Sequence, residues 1–176
     1  MKDSFAEIAS NQLKKFIPFL LTLFLVLIDF VPTYLPLSHF LRPDLALICV
    51  YFWLLYRLDL FGVVSVLLLG VVVDSLSGVP LGTNICVFML VYLLTMMISS
   101  YVNTKPFMIS WLIFALIAFV AFLFKWILFC VYYRVILELP NILTTYIVTV
   151  LIYPLIARLN MLLQERYLKT SEDIDE

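Results

Sequence analysis

Long apolar runs separated by short polar breaks fill most of this 176-residue chain and decide what it can fold into. Hydrophobic residues make up 65% of the sequence and charged residues only 13%, whereas soluble domains contain about 45–50% and about 25%. Such a chain has too little polar surface to cover a soluble fold. We therefore expect one all-α domain that crosses a membrane several times, with no length left for a separate soluble catalytic domain.

The apolar runs predict about six transmembrane helices in one bundle, because a span needs about 20 apolar residues. The second and third runs are shorter than a full span, so either polar flanks extend them or they form a short hairpin buried within the protein. Five full spans is the alternative that this leaves open. The runs cover residues 16–37, 45–56, 60–73, 83–102, 107–133 and 142–163.

Charge placement predicts how the bundle sits in the membrane. With six crossings, most lysines and arginines fall on the side of the two termini, as the positive-inside rule requires. We expect a cytoplasmic N-terminal segment at 1–15, a single transmembrane domain at 16–163 and an acidic cytoplasmic tail at 164–176. Both termini are therefore predicted to face the cytoplasm.

The sequence contains no pattern typical of an enzyme, a cofactor site or a metal site. The three cysteines and His39 lack the spacing of metal ligands, and no basic stripe interleaved with aromatics suggests nucleic-acid binding. A membrane peptidase would need two carboxylates meeting at one depth. Asp44 and Asp74 both fall on the outer side, but no Asn-x-x-Asp element surrounds either one. We expect no catalytic activity, cofactor or metal.

Asp74 follows a long apolar run, and all four glycines of the chain lie near it. Gly70 is four residues before Asp74, which puts the two on one face of a helix, with Gly62 roughly 80° further round. Small residues let membrane helices approach closely, and polar side chains then bond across the gap. Asp74 is therefore predicted to face protein. The open alternatives are a bond to another helix, a cap of the following turn, and a catalytic or ion-carrying role.

The sequence "SGVPLG" at 77–82 predicts the turn after this helix, because Gly78 and Gly82 permit positive φ. The sequence "RPDLAL" at 42–47 predicts a helix start, with Pro43 at the first helical position and Asp44 complementing the helix dipole.

Three further charged residues are candidates for contacts. Arg42 is a candidate for lipid phosphate or for a partner. Lys125 interrupts the fifth run and is expected either to snorkel or to pair with an acid. Asp29, in the first run, is a further candidate for a buried contact.

The stretch from "RPDLAL" to "LGTN" resembles the MreD family of rod shape-determining proteins. The shared pattern is an R-P-D opening, a short aromatic-rich helix, and a glycine-containing apolar helix that ends in Asp before a turn with Leu-Gly. The chain departs from this pattern at Tyr56-Arg57-Leu58, where a proline is expected. The residues that carry the resemblance are Arg42-Pro43-Asp44, Tyr51-Phe52-Trp53, Gly62, Gly70, Asp74, Gly78 and Leu81-Gly82.

The resemblance implies an inner-membrane component of the bacterial elongation machinery. Such proteins associate with MreC, and through it with the MreB filament and the peptidoglycan synthases. In fold they are similar to the substrate-binding component of energy-coupling vitamin transporters. The favoured hypothesis is a non-enzymatic scaffold. The residues predicted for helix packing or a partner interface are Arg42, Asp44, Gly62, Gly70, Asp74, Gly78 and Gly82.

The alternative hypothesis is a small-molecule-binding membrane transport component. It requires an outward-facing cavity lined by polar groups. The candidates for that lining are His39, Arg42, Asn84 and Arg134.

Overall fold

The computed structural model describes residues 18–30, 42–58, 60–102, 106–135 and 139–168, without the side chains of 100, 139, 141 and 163–168. The predicted N-terminal segment, His39 and the tail after residue 168 lie outside the described residues. The regular elements within these ranges are helices only. They are α1 (Pro18–Phe30), α2 (Leu45–Tyr56), α3 (Val63–Ser77), α4 (Thr83–Val102), α5 (Phe107–Tyr133) and α6 (Leu139–Leu168).

The helix bounds confirm the predictions for α2, α4 and α5 and correct those for α3 and α6. Helix α3 continues to Ser77, so Asp74 lies in its last turn and not beyond its end. Helix α6 begins at Leu139 and continues to Leu168, so the first residues of the predicted tail are helical. Both extensions run through polar residues, which the count of apolar residues could not include.

Helix length separates α5 and α6 from the rest. Among the described residues, α5 and the Ile142–Leu162 part of α6 are long and apolar enough to cross a membrane alone. Helix α5 has 27 residues, which at about 1.5 Å each gives about 40 Å against a hydrocarbon core of about 30 Å. By length and composition, two of the described helices can therefore span a membrane alone. The count of six spans stays a prediction.

Helix α2 is the centre of the fold. Every residue from Ala46 to Leu55 is buried, and the helix packs against α4 and α6. A helix that is apolar all round is expected to be surrounded by protein or lipid, and here the surroundings are protein. The shortness of this run is therefore explained by its interior position.

The remaining helices bury one face and expose another. Helix α3 packs against α4, α4 against α5, and α5 against α6. Their exposed faces are apolar, as a bilayer requires; examples are Val64 on α3, Met97 on α4, Leu112 on α5 and Leu155 on α6.

Two helix starts share one end of the assembly. Asp44 and Leu47, at the start of α2, lie beside Val87, near the start of α4. We call this the outer end, after the predicted orientation.

Candidate functional site

Three sets of polar contacts join the helices amid apolar surfaces. Polar groups in a membrane protein are expensive and usually mark positions with a role. The three sets are the Asp74 clasp (Asp74, Gly82, Asn84), the Asp44 junction (Asp44, Lys125, Thr149) and the Pro154 contact (Trp111, Val150, Pro154).

The Asp74 clasp ties the last turn of α3 to the first turn of α4. The Asp74 side chain is buried, with the residue only 1% exposed. Its Oδ2 accepts a hydrogen bond from the Gly82 N–H at 2.7 Å, and its Oδ1 accepts from the Asn84 N–H at 2.8 Å and from Asn84 Nδ2 at 2.9 Å. The first N–H groups of a helix lack partners within the helix and form the positive end of its dipole. The carboxylate satisfies two backbone donors at this end.

The local sequence builds the clasp. Gly78 ends α3 in the left-handed conformation with φ 64°, and Gly82 has φ 104°, values that favour glycine because it has no Cβ. Between them, the Pro80 carbonyl accepts from the Thr83 N–H at 3.2 Å and from Thr83 Oγ1 at 2.9 Å. The turn predicted from "SGVPLG" is confirmed, and it delivers the N–H of Gly82 to Asp74.

Gly70 marks the close approach of α3 and α4. A Cβ at this position would lie 2.8 Å from the Cα of Ile85, closer than real contacts allow. At Gly62, Gly78 and Gly82 a Cβ would meet nothing within 4 Å. Of the four glycines, Gly70 is therefore the one that lies at a close contact between helices. A role of the other three at a partner interface stays a prediction.

The structure combines two of the alternatives that the sequence left open for Asp74. The carboxylate bonds to the neighbouring helix, and the same bonds cap the start of that helix. Both carboxylate oxygens are engaged in these contacts.

The Asp44 junction brings together α2, α5 and α6. Asp44 is the N-cap of α2, with its Oδ1 accepting from the Leu47 N–H at 3.0 Å. Its own N–H donates to Thr149 Oγ1 on α6 at 2.9 Å, and its Oδ2 lies 3.3 Å from Lys125 Nζ on α5. The prediction that Pro43 is the first helical residue was wrong: it precedes the cap, because Asp44 takes the capping position and the helix begins at Leu45.

Lys125 pairs with an acid instead of snorkelling. It lies about 12 Å along the helix axis from the end of α5 at Tyr133, at about 1.5 Å per residue. The side chains of Lys125 and Asp44 are 20% and 15% exposed, so solvent screens the pair only partly. Asp29 on α1 interacts electrostatically with Asp44, Arg42 and Lys125. Four charged groups thus gather near the start of α2.

The Pro154 contact lies within α6, where Pro154 has no N–H to donate to the carbonyl of Val150 one turn earlier. Trp111 on α5 supplies the missing donor, with its Nε1–H 2.9 Å from that carbonyl oxygen. Beside it, the Tyr153 hydroxyl lies 3.2 Å from Ser110 Oγ. A buried carbonyl left without a partner is unfavourable, so Trp111 compensates for the proline.

An aromatic cluster lies beside the Pro154 contact. The ring of Tyr153 stacks on Phe114 with centroids 4.2 Å apart, and the Tyr51 ring lies 5.8 Å from it. The Tyr51 hydroxyl donates to the Ser110 carbonyl at 3.1 Å. These contacts fix the buried helix α2 against α5 and α6.

The other candidate positions do not meet in one site. Arg42 is exposed just before α2, and Arg134 is exposed in a left-handed conformation at the end of α5. Asn84 is buried in the clasp. Within the described ranges, no three His, Cys, Asp or Glu side chains are grouped as metal ligands would be. The arrangement seen is one of interhelical bonds that position helices.

Sequence reasoning missed Thr149, Trp111 and Ser110. Pro154 within an apolar run signals a freed carbonyl four residues earlier, so one half of the Pro154 contact could have been found. Nothing in the sequence identifies Trp111 as the donor, because it lies 39 positions away from Val150.

Comparison with known proteins gives two matches. A family model described as rod shape-determining protein MreD matches residues 10–163. The uncharacterized protein RP566 of Rickettsia prowazekii (strain Madrid E) is 27% identical over 126 residues, which covers 69% of this chain and 71% of that protein. No solved structure matches this chain.

Proposed function

Because this chain belongs to the MreD family of rod shape-determining membrane proteins, we propose that it is a non-enzymatic scaffold of the bacterial cell-elongation complex. In this role it holds partner membrane proteins that guide peptidoglycan synthesis. The resemblance drawn from the sequence is thereby confirmed at the level of the family, and the scaffold role is our proposal.

The observation that carries the proposal is the use of polar groups between helices. The Asp74 clasp, the Asp44 junction and the Pro154 contact each connect helices to one another. The surfaces that remain exposed are apolar faces of α3, α4, α5 and α6. A fixed frame with apolar faces is suited to binding partner helices, since membrane helices associate by packing and by interhelical hydrogen bonds.

We propose an MreC-like membrane protein as the direct partner, with the MreB filament and the peptidoglycan synthases reached through it. The protein resides in the inner membrane with both termini in the cytoplasm. Reporter fusions at the two ends check this orientation. Cytoplasmic signals from both are expected, and a periplasmic C-terminus would contradict six crossings.

Co-purification with crosslinking from membranes tests the scaffold role. We expect a single-span partner to be recovered with the wild type and recovered poorly with Gly70→Leu, because the added side chain forces α3 away from Ile85. Leu68→Trp, at an exposed position of the same helix, is the control for added bulk. Equal recovery with folded Gly70→Leu protein would mean that partner binding does not depend on the close approach of α3 and α4 at Gly70. A water-soluble molecule retained through purification would instead favour a transport component.

A further inference from the structure

An apolar groove opens between the outer halves of α5 and α6. Phe107 lies against Tyr153 at the inner part of this helix pair, and Phe122 lies against Tyr146 further out. Beyond Tyr146 the two helices leave a shallow groove with a volume of about 60 Å³. It is lined by Phe119, Phe122, Leu123, Trp126, Ile142, Leu143 and Tyr146.

The lining of the groove is apolar. Tyr146 lies between the helices, with its ring 5.9 Å from Phe119 and its hydroxyl donating to the Ala115 carbonyl at 3.3 Å. That bond turns its one polar group towards the α5 backbone. Leu123 and Leu143 are exposed on the two sides of the groove.

The end of α5 above the groove carries a positive charge. At about 100° per residue, Arg134 lies about 20° round from Leu123, and at about 1.5 Å per residue it lies about 16 Å further along the axis. Arg134 is exposed, as are Tyr132 and Tyr133 beside it. Tyrosines at helix ends typically lie at headgroup level.

We propose that this groove and Arg134 form a phospholipid-binding site. One acyl chain lies along the groove, and the phosphate is bound by the Arg134 guanidinium, whose planar fork matches phosphate oxygens. The distance of about 16 Å from Leu123 to Arg134 suits a chain that descends from its headgroup. An apolar groove beneath an exposed positive charge matches the apolar chain and the anionic phosphate of one phospholipid. This combination favours a phospholipid over an apolar protein segment.

Native mass spectrometry of the full-length protein with added phosphatidylglycerol tests the site. We expect one lipid to be retained by the wild type. Arg134→Gln should weaken retention about tenfold, as for the loss of one charge-assisted contact. Leu143→Trp fills the groove and should abolish retention. With diacylglycerol of the same chains as the probe, Arg134→Gln should have no effect and Leu143→Trp should still abolish binding.

Two matched controls make the test specific. Leu68→Trp places the same bulk on α3, at a side chain that is 53% exposed like Leu143. Arg158→Gln removes an exposed arginine from the other end of the bundle. Both controls should retain the lipid. Retention unchanged by Leu143→Trp, no retained lipid in the wild type, or a partner protein crosslinked from position 143 in place of lipid would each overturn the proposal.

Discussion

Asp74 and Asp44 are both carboxylates beside a helix start at the outer end, yet their partners lie at very different distances along the chain. The partners of Asp74 are 8 and 10 residues away. Besides the Leu47 N–H that it caps within α2, Asp44 has partners 81 and 105 residues away. The Asp74 carboxylate closes the α3–α4 hairpin, whose turn was predicted from the local sequence "SGVPLG". Asp44 fixes the arrangement of helices that the chain brings together only on folding.

This difference has a consequence for stability. A contact within the α3–α4 hairpin should mainly stabilise that hairpin, because its two helices are neighbours along the chain. A contact among α2, α5 and α6 should control the whole bundle, because α2 is buried at its centre. Four substitutions separate these effects, beginning with the most severe.

The largest loss is expected for Asp74→Leu. The change leaves the N–H groups of Gly82 and Asn84 and the Asn84 amide without their acceptor. Buried donors without a partner cost about 1–3 kcal/mol each, so we expect about 3–5 kcal/mol of lost unfolding free energy. Denaturant titration in mixed micelles measures it. Ser75→Leu, exposed and bonded only within its own helix, is the control. A loss no greater than that of Ser75→Leu would contradict the clasp.

The next effect is expected for Asp44→Ala, which leaves the Lys125 charge unpaired in a half-buried position. Breaking a buried pair costs about 3–5 kcal/mol, and the partial exposure reduces our expectation to about 2–3 kcal/mol. Adding Lys125→Met to this variant should restore about 1 kcal/mol, because position 125 then carries no charge left without Asp44. Unfolding titrations of the two single variants and the double variant complete the cycle. Strictly additive losses would mean that the pair carries no coupling.

A smaller effect tests the Pro154 contact. Trp111→Phe removes the donor to the Val150 carbonyl and should cost about 1 kcal/mol beyond the change in packing. In a Pro154→Ala background the new N–H can serve that carbonyl, so Trp111→Phe should then cost about 1 kcal/mol less. Unfolding free energies of the four proteins measure this coupling. An equal cost in both backgrounds would separate Trp111 from the proline.

The smallest effect compares two glycines. Gly78→Ala forces a side chain into the left-handed region at φ 64° and should cost about 1 kcal/mol. Gly62 has φ −83° and open space around it, so Gly62→Ala should stay within about 0.5 kcal/mol of the wild type. Thermal unfolding of the two variants side by side gives the difference. Equal stability would mean that the turn after α3 adapts to alanine.

The two regions also differ in how far the sequence predicted them. Helix ends in general were predictable where polar residues interrupt apolar runs, as "NTKP" does between α4 and α5. The burial of Asp74 followed from its spacing to Gly70, since both lie on one helix face. The pairing of Asp44 with Lys125 did not follow, because helical spacing relates only residues on the same helix. Likewise, Pro154 indicates a freed carbonyl but not which distant side chain fills it.

Hydrogen–deuterium exchange on the purified protein tests the central claim most directly, by comparing Asp44→Ala with Asp74→Leu. We expect Asp44→Ala to speed amide exchange across α2 and the facing parts of α5 and α6. Asp74→Leu should speed exchange most in α3 and the start of α4. Exchange in α2 and α6 that speeds as much as exchange in α3 on loss of Asp74, or unchanged exchange in α2 and α6 on loss of Asp44, would contradict the division between a local clasp and a junction that holds the bundle.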